Sequence, residues 1–179
     1  MAAKRVIKEL DAYQKDPSPA VVSLQPVRDD DVLQLEATLM GPTGTAYEGT
    51  DSLPKDKLES LCPSSSSPLT LSAGGHWDLR ISLPPQYPNL PPAIHFITPC
   101  CHPNVNFKTG EICLDLLKTS WTPAYGMVSS LEAVQQLMSA GGEPDSPLNI
   151  DLARLLREND LVAAEGLVRF YTGLYAMRR

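Results

Sequence analysis

A chain of 179 residues with 42% hydrophobic and 20% charged positions has the means to close an ordinary globular core. A formal charge of −6, with no basic run interleaved with aromatics, excludes a general nucleic-acid binder. No stretch approaches the ~20 apolar residues of a membrane span, and the opening MAAKRVIKEL has no apolar signal core, so the expectation is a cytoplasmic chain without direct membrane insertion.

In chain order, residues 2–15 predict a helix with Val6, Ile7, Leu10 and Tyr13 as its apolar stripe and Lys4, Arg5 and Lys8 on the other side. Asp16-Pro17-Ser18-Pro19 ends it. Residues 20–27 read as a short strand, and Arg28 to Asp31 as a charged turn. Leu33, Leu35, Ala37 and Leu39 then alternate with Gln34, Glu36 and Thr38, the period of a strand buried on one face. Trp77, Leu79, Ile81 and Leu83 repeat that alternation against Asp78, Arg80 and Ser82, and residues 93–97 supply a fourth strand. Between the second and third strands, residues 50–74 are rich in Ser, Pro and Gly and keep no period. They read as an inserted loop that could hold one helical turn over 56–61, with Cys62 as an incidental exposed thiol.

Tyr87-Pro88-Asn89-Leu90-Pro91-Pro92 cannot be a central strand, because its three prolines have no amide to donate, so it is expected to form a rigid corner. Beyond residue 124 the chain turns helical. A helix over 128–139 shows Val128, Leu131, Val134, Gln135 and Met138 on one face and stops at Gly141-Gly142. A second covers 150–158, with Ile150, Leu152, Leu155 and Leu156. A third covers 161–177, with Leu161, Ala164, Leu167, Val168, Tyr171 and Leu174. The order of elements implies an α+β plan: an antiparallel meander of four strands with helices on one face or at its ends, residues 1–179 forming one unit.

The chemistry concentrates in residues 99–124, PCCHPNVNFKTGEICLDLLKTSWTPA. Cys113 has four readings on its own. It is a buried structural cysteine, the commonest fate of a free thiol. It is one ligand of a zinc site with Cys100, Cys101 and His102, although that spacing holds no Cys-x-x-Cys pair. It is the nucleophile of a Cys–His hydrolase, with His76, His95 or His102 as base. Or it carries an acyl group as a thioester. For this last role a strong base is unnecessary, because a free cysteine ionises near about pH 8.5 and a small thiolate fraction suffices for exchange with another thioester. A side-chain amide such as that of Asn104 is a suitable donor to the oxyanion. The residues alone leave the structural and acyl-carrier readings both open. The four cysteines, Cys62, Cys100, Cys101 and Cys113, do not make a disulfide framework in a chain this long.

Several pieces occur together in a telling order: Gly41-Pro42, Tyr47-Glu48-Gly49, Tyr87-Pro88, Pro91-Pro92, His102-Pro103-Asn104, Ile112-Cys113-Leu114-Asp115, Trp121-Thr122-Pro123 and Asp145-Ser146-Pro147-Leu148. As a set they resemble the ubiquitin-conjugating enzymes, over almost the whole chain. Thr109-Gly110-Glu111-Ile112-Cys113 and DSPLNIDLARLL look most like the fungal peroxisomal members. The resemblance implies the ubiquitin-conjugating fold, no cofactor, and Cys113 as acceptor of ubiquitin from the activating enzyme. It implies that Asn104 stabilises the oxyanion or holds the active-site loop, that His102 and Pro103 shape that loop, and that Asp115 and Ser146 flank the thiol and orient the incoming nucleophile.

Many relatives carry an acid where this chain has Ser146, so weak activation of lysine is implied, and a cysteine of an import receptor becomes a fitting acceptor. Lys4, Arg5 and Lys8 match the face that meets the activating enzyme. Asn89 and Leu90, with Pro123 and Ala124, match the two loops that meet a RING-type ligase, with Asn89 in place of an aromatic anchor. A membrane-bound anchor protein at the cytosolic face of the peroxisome is a further implied partner. Three departures stand out: one extra residue between Asn104 and Cys113, the insert before the third strand, and Cys101 in place of an aromatic. The competing readings are conjugation of another ubiquitin-like modifier and a non-catalytic binding variant.

Overall fold

Alternating strands joined by short turns pair most easily with their neighbours in sequence, and that is the topology observed. The computed structural model describes residues 2–28, 30–49, 74–113, 121–143 and 145–177. In order, they form α1 (Ala2–Lys15), β1 (Val21–Arg28), β2 (Asp31–Met40), β3 (His76–Ser82), β4 (Ala93–Phe96), α2 (Met127–Ala140), α3 (Ile150–Arg157), α4 (Leu161–Tyr171) and a widened π turn (Thr172–Ala176). The sheet runs β1-β2-β3-β4, each pair antiparallel. The α+β meander expected from the sequence is therefore present. The insert expected over 50–74, with Cys62 and the turn at 56–61, lies outside the described residues except for Gly74.

Register explains where the core sits. Leu35 pairs with Ile81, Ala37 with Leu79 and Leu39 with Trp77. Leu79 pairs with Phe96 and Ile81 with Ile94. All are buried, so the period of two carries one apolar face across three strands. Both α1 and α2 pack over that side of the sheet. The other face carries polar cross-strand pairs. Arg80 donates to Glu36 at 2.7 Å, and the Ser82 hydroxyl donates to Gln34 at 2.8 Å.

Beyond the β2 end, two glycines allow a close crossing. The Gly41 N–H donates to the Gly75 carbonyl at 2.7 Å, and the Gly75 N–H donates to the Glu48 carbonyl at 3.0 Å. A Cβ on Gly41 would overlap the Tyr47 carbonyl and stand 2.8 Å from the Trp77 ring. This crossing seats Tyr47, whose buried phenol donates to the Cys101 carbonyl at 2.8 Å. The fold thus delivers a hydrogen bond to the segment that carries the chemistry.

Several helix stripes differ from expectation. In α1, Val6 is fully buried while Ile7 is 47% exposed. Ile7 lies about 100° around the helix from Val6, whereas Leu10 and Tyr13 return close to Val6's direction. In α3 and α4, Leu152, Ala153, Ala164 and Val168 are buried, but Ile150 and Leu161 are exposed, because each opens its helix and projects past the packed turn. The last helix does not run to 177 as an α-helix. It ends at Tyr171 and widens, so that Thr172 and Ala176 are buried and Leu174 is exposed. The Tyr171 and Tyr175 rings then sit 4.8 and 6.0 Å from Phe107. No helix among the described residues is long and apolar enough to cross a membrane.

Gly41→Ala should lower stability by about 1–3 kcal/mol, the usual cost of forcing atoms into a packed site. Gly44→Ala, at a φ of 73° with open space around it, should lose only about 1 kcal/mol from left-handed backbone. Urea denaturation midpoints of the two variants check the order.

Candidate active site

Cys113 lies nine positions past Asn104 in the chain, and a hairpin brings the two back together. Val105 and Ile112 form an antiparallel bridge, and the Cys113 N–H donates to the Asn104 carbonyl at 2.9 Å. The intervening turn is built by Asn106, whose side-chain oxygen accepts from the amides of Lys108 and Thr109 at 3.0 and 3.1 Å. Gly110 closes it with a φ of 71°, and its carbonyl accepts from Phe96 at 2.9 Å. The turn is thereby tied to β4, and Phe107 ties it to the C-terminal helix. Val105 and Ile112 are buried, while Cys113 is half-buried.

The Asn104 side chain is buried and fully engaged. Its Nδ2 donates to the carbonyls of Glu143 and Ser146 at 2.8 and 3.1 Å, and its Oδ1 accepts from the Glu143 N–H at 2.6 Å. The Pro103 carbonyl accepts from the amides of both Leu148 and Asn149, at 2.8 and 3.0 Å. Asn149 in turn caps α3 through Leu152 N–H at 3.3 Å. Glu143, Ser146, Leu148 and Asn149 are thus laced along the His-Pro-Asn tripeptide. One residue, Asn104, touches Cys113 through its main chain and the exposed Ser146 through its side chain. Gly142, with a φ of 74°, lies so close that any Cβ would strike the Asn104 amide and the His102 ring.

His102 is buried, with Nε2 3.1 Å from the Leu137 carbonyl and Nδ1 accepting from the Asn104 N–H at 3.1 Å. The backbone partners assign the proton to Nε2, and burial pushes the imidazole down to about 4. Both nitrogens are committed, which argues for a shaping role and against a base for Cys113. Cys100 and Cys101 are buried, and burial raises both thiols, Cys101 to about 11 despite the Asn149 amide 3.9 Å away. They are poor thiolates at neutral pH. No group of three or more metal-ligating side chains gathers among the described residues.

A half-buried thiol on a hairpin, backed by a buried amide and a laced loop, invites comparison with known proteins. The ubiquitin-conjugating enzyme family matches residues 62–171. The chain belongs to that family.

Among its relatives, the conjugating enzyme PEX4 of Gibberella zeae is 36% identical over 173 residues, covering 95% of this chain and 86% of that one. Protein PEROXIN-4 of Arabidopsis thaliana is 37% identical over 174 residues, covering 97% and 94%. The likeness to peroxisomal members therefore extends beyond fungi. A crystal structure of H. polymorpha Pex4p in complex with the soluble domain of Pex22p superimposes with a TM-score of 0.79 at 32% identity, covering 99% of each chain.

In this conjugating enzyme the surfaces expected to meet partners divide unevenly. Lys4 and Lys8 are exposed on α1. Arg5 is not a free cation: it pairs with Glu9, and its Nη2 reaches the Pro123 carbonyl at 3.4 Å. Asn89, Leu90, Pro123 and Ala124 are exposed on two loops. Those loops adjoin, because the Trp121 indole donates to the Pro88 carbonyl at 2.8 Å and its ring lies 6.0 Å from Tyr87. Glu9 belongs to no motif in the sequence, yet it joins these surfaces. Its carboxylate accepts from the Tyr87 hydroxyl at 2.9 Å and from the Met127 N–H at 2.8 Å. Its position four residues after Arg5 signalled a helix-surface pair and nothing more. Burial, together with the Glu9 carboxylate, holds the Tyr87 phenol well above its ordinary range, so it stays a donor. Asp115, expected beside the thiol, lies outside the described residues.

The His102 shift has a stability consequence. An unfolded histidine protonates near about 6.5. Between that value and about 4 the unfolded chain takes up a proton that the folded chain refuses, so stability is complete above the window and is lost as pH falls through it. The loss attributable to His102 is at most about 3 kcal/mol. Urea unfolding of wild type and His102→Gln across pH 4–7 should show a flatter slope in the variant. Equal slopes would mean that His102 protonates within the folded protein.

Proposed function

We propose that Cys113 carries ubiquitin as a thioester and passes it, with a RING-type ligase, to a peroxisomal import receptor or another target at the cytosolic face of that organelle. The observation that carries the assignment is the hydrogen bond from the Cys113 N–H to the Asn104 carbonyl, which holds a half-buried thiol against the laced His-Pro-Asn segment. The Cys113 thiolate attacks the thioester carbonyl of ubiquitin on the activating enzyme. That enzyme's thiolate leaves, and the new thioester keeps most of the acyl activation.

In the second step a nucleophile attacks the same carbonyl and expels Cys113. Asn104 acts here as the brace that holds Glu143 and Ser146. Both its amide hydrogens are spent on carbonyls at 2.8 and 3.1 Å, and serving an oxyanion would mean releasing one of them. Ser146, exposed next to this brace, is a weaker proton acceptor than a carboxylate, which suits a thiol nucleophile better than an amine. Asp115 is assigned with Ser146 to orienting the nucleophile.

The exposed Lys4 and Lys8, with Arg5, form the face for the activating enzyme. Leu90, Asn89, Pro123 and Ala124 form the face for the ligase. The peroxisomal setting is supported by the relatives that bear peroxisomal names, and by the partnership of Pex4p with Pex22p in the H. polymorpha complex. By analogy, a membrane-bound anchor protein would recruit this chain.

Mixed with activating enzyme, ubiquitin and ATP, the wild type should form an adduct that reductant removes, and Cys113→Ala should form none. A wild type that never charges, or a variant that charges equally, would end the assignment. Ser146→Asp should raise discharge to free lysine by about tenfold, less than the full contribution of a positioned general base, and leave discharge to free cysteine unchanged. Gel-resolved single-turnover decay of the charged enzyme reads both rates.

A further inference from the structure

Glu9 belongs to none of the motifs above, yet its carboxylate joins α1 to both exposed loops. Helix α2 begins at a glycine, Gly126, which has no side chain to cap it. Glu9 supplies the missing acceptor from another helix, taking the Met127 N–H at 2.8 Å, where a helix N-terminus favours negative charge. The same carboxylate accepts the Tyr87 hydroxyl at 2.9 Å and pairs with Arg5. Arg5 reaches the Pro123 carbonyl at 3.4 Å, and Trp121 donates to the Pro88 carbonyl at 2.8 Å. These bonds close a circuit: Glu9 to Tyr87, along the chain to Pro88, across to Trp121, along to Pro123, and back through Arg5. The loop tips at Asn89–Leu90 and Pro123–Ala124 hang from that circuit.

A carboxylate is required at its centre. Three donors converge on the two oxygens of Glu9, which is only 15% exposed. An amide in its place offers a single acceptor oxygen and turns an NH2 group toward a donor. The tips themselves hold no aromatic at Asn89, so the fit of a partner depends on the spacing of the tips more than on any single anchor.

We propose that Glu9 is a positioning residue that sets the spacing of the two ligase-facing loops, and so governs ligase-stimulated transfer without touching the thioester. The proposal rests on the reading of those loops as the ligase face.

The test uses the full chain, charged with ubiquitin at Cys113, and isolated RING domains titrated one at a time. In Glu9→Gln the half-saturating RING concentration should rise about tenfold, equivalent to about 1.4 kcal/mol. In Tyr87→Phe, which removes one donor and spares the capped helix, the rise should be about threefold. Discharge without any RING domain should stay within about twofold of wild type in both. The Trp121 indole N–H resonance should move in both variants. RING-free discharge falling as far as stimulated discharge would indicate a merely structural role and overturn the proposal. So would half-saturation unchanged in both variants. If no RING domain stimulates the wild type, the reading of the loops as a ligase face fails separately. The indole resonance then decides for Glu9, and an unmoved signal in Glu9→Gln overturns its positioning role.

Discussion

A buried side-chain amide must find partners for its polar atoms, because leaving them unpaired costs free energy comparable to a lost hydrogen bond. Asn104 finds them all in one loop, at Glu143 and Ser146, while its main chain holds Cys113. Much of the site's shape follows. Where the chain leaves α2 it must pass within reach of that amide, and only a glycine at 142 leaves room. The carbonyl of Pro103, a buried residue next to Asn104, captures the amides of Leu148 and Asn149 and so fixes where α3 begins. Cys113, half-buried, stands at the edge of this laced structure, with its main chain held by Asn104.

The brace rests in turn on a sheet whose apolar face is continuous from β2 to β4. Tyr47 connects the two. It is seated by a glycine crossing at the end of β2 and donates to the Cys101 carbonyl. His102 adds a second link, to the end of α2 through Leu137. Neither contact reacts with anything. Both hold the tripeptide so that the hairpin to Cys113 closes in one register. Thioester exchange needs little proton transfer for its first step, so on the proposed role of Cys113 the frame around this half-buried cysteine is the main thing the protein supplies.

Several features were legible in the residues alone. The alternation in Leu33–Leu39 and Trp77–Leu83 set strands, face and order, because side chains in a strand point to opposite sides at every step. The three prolines of 87–92 announced a corner. The motif set led to the family. Less legible were the ends of the helical stripes. Ile7, Ile150, Leu161 and Leu174 share the apolar period of the core residues yet are exposed, since a period records which way a residue points and not how far the packed neighbour extends. The π turn at 172–176 carried no sequence signal that we can identify.

By itself, then, the sequence determined the strand pattern, the antiparallel order, and a thiol set among family motifs that fits an acyl carrier. These are properties of spacing along a chain, and spacing is fully written there. Only the tertiary structure decided which polar atoms meet. Asn104 and Glu143 are 39 residues apart, and Glu9 and Met127 are 118 apart. A hydrogen bond needs two groups within about 3 Å and well aligned, and no local period encodes that coincidence. That is why Asn104, with a donor role or a bracing role open to it, is found with its amide already committed to the loop. It is also why Arg5, grouped with Lys4 and Lys8 on the basic side of α1, is found bound to Glu9 and the Pro123 carbonyl.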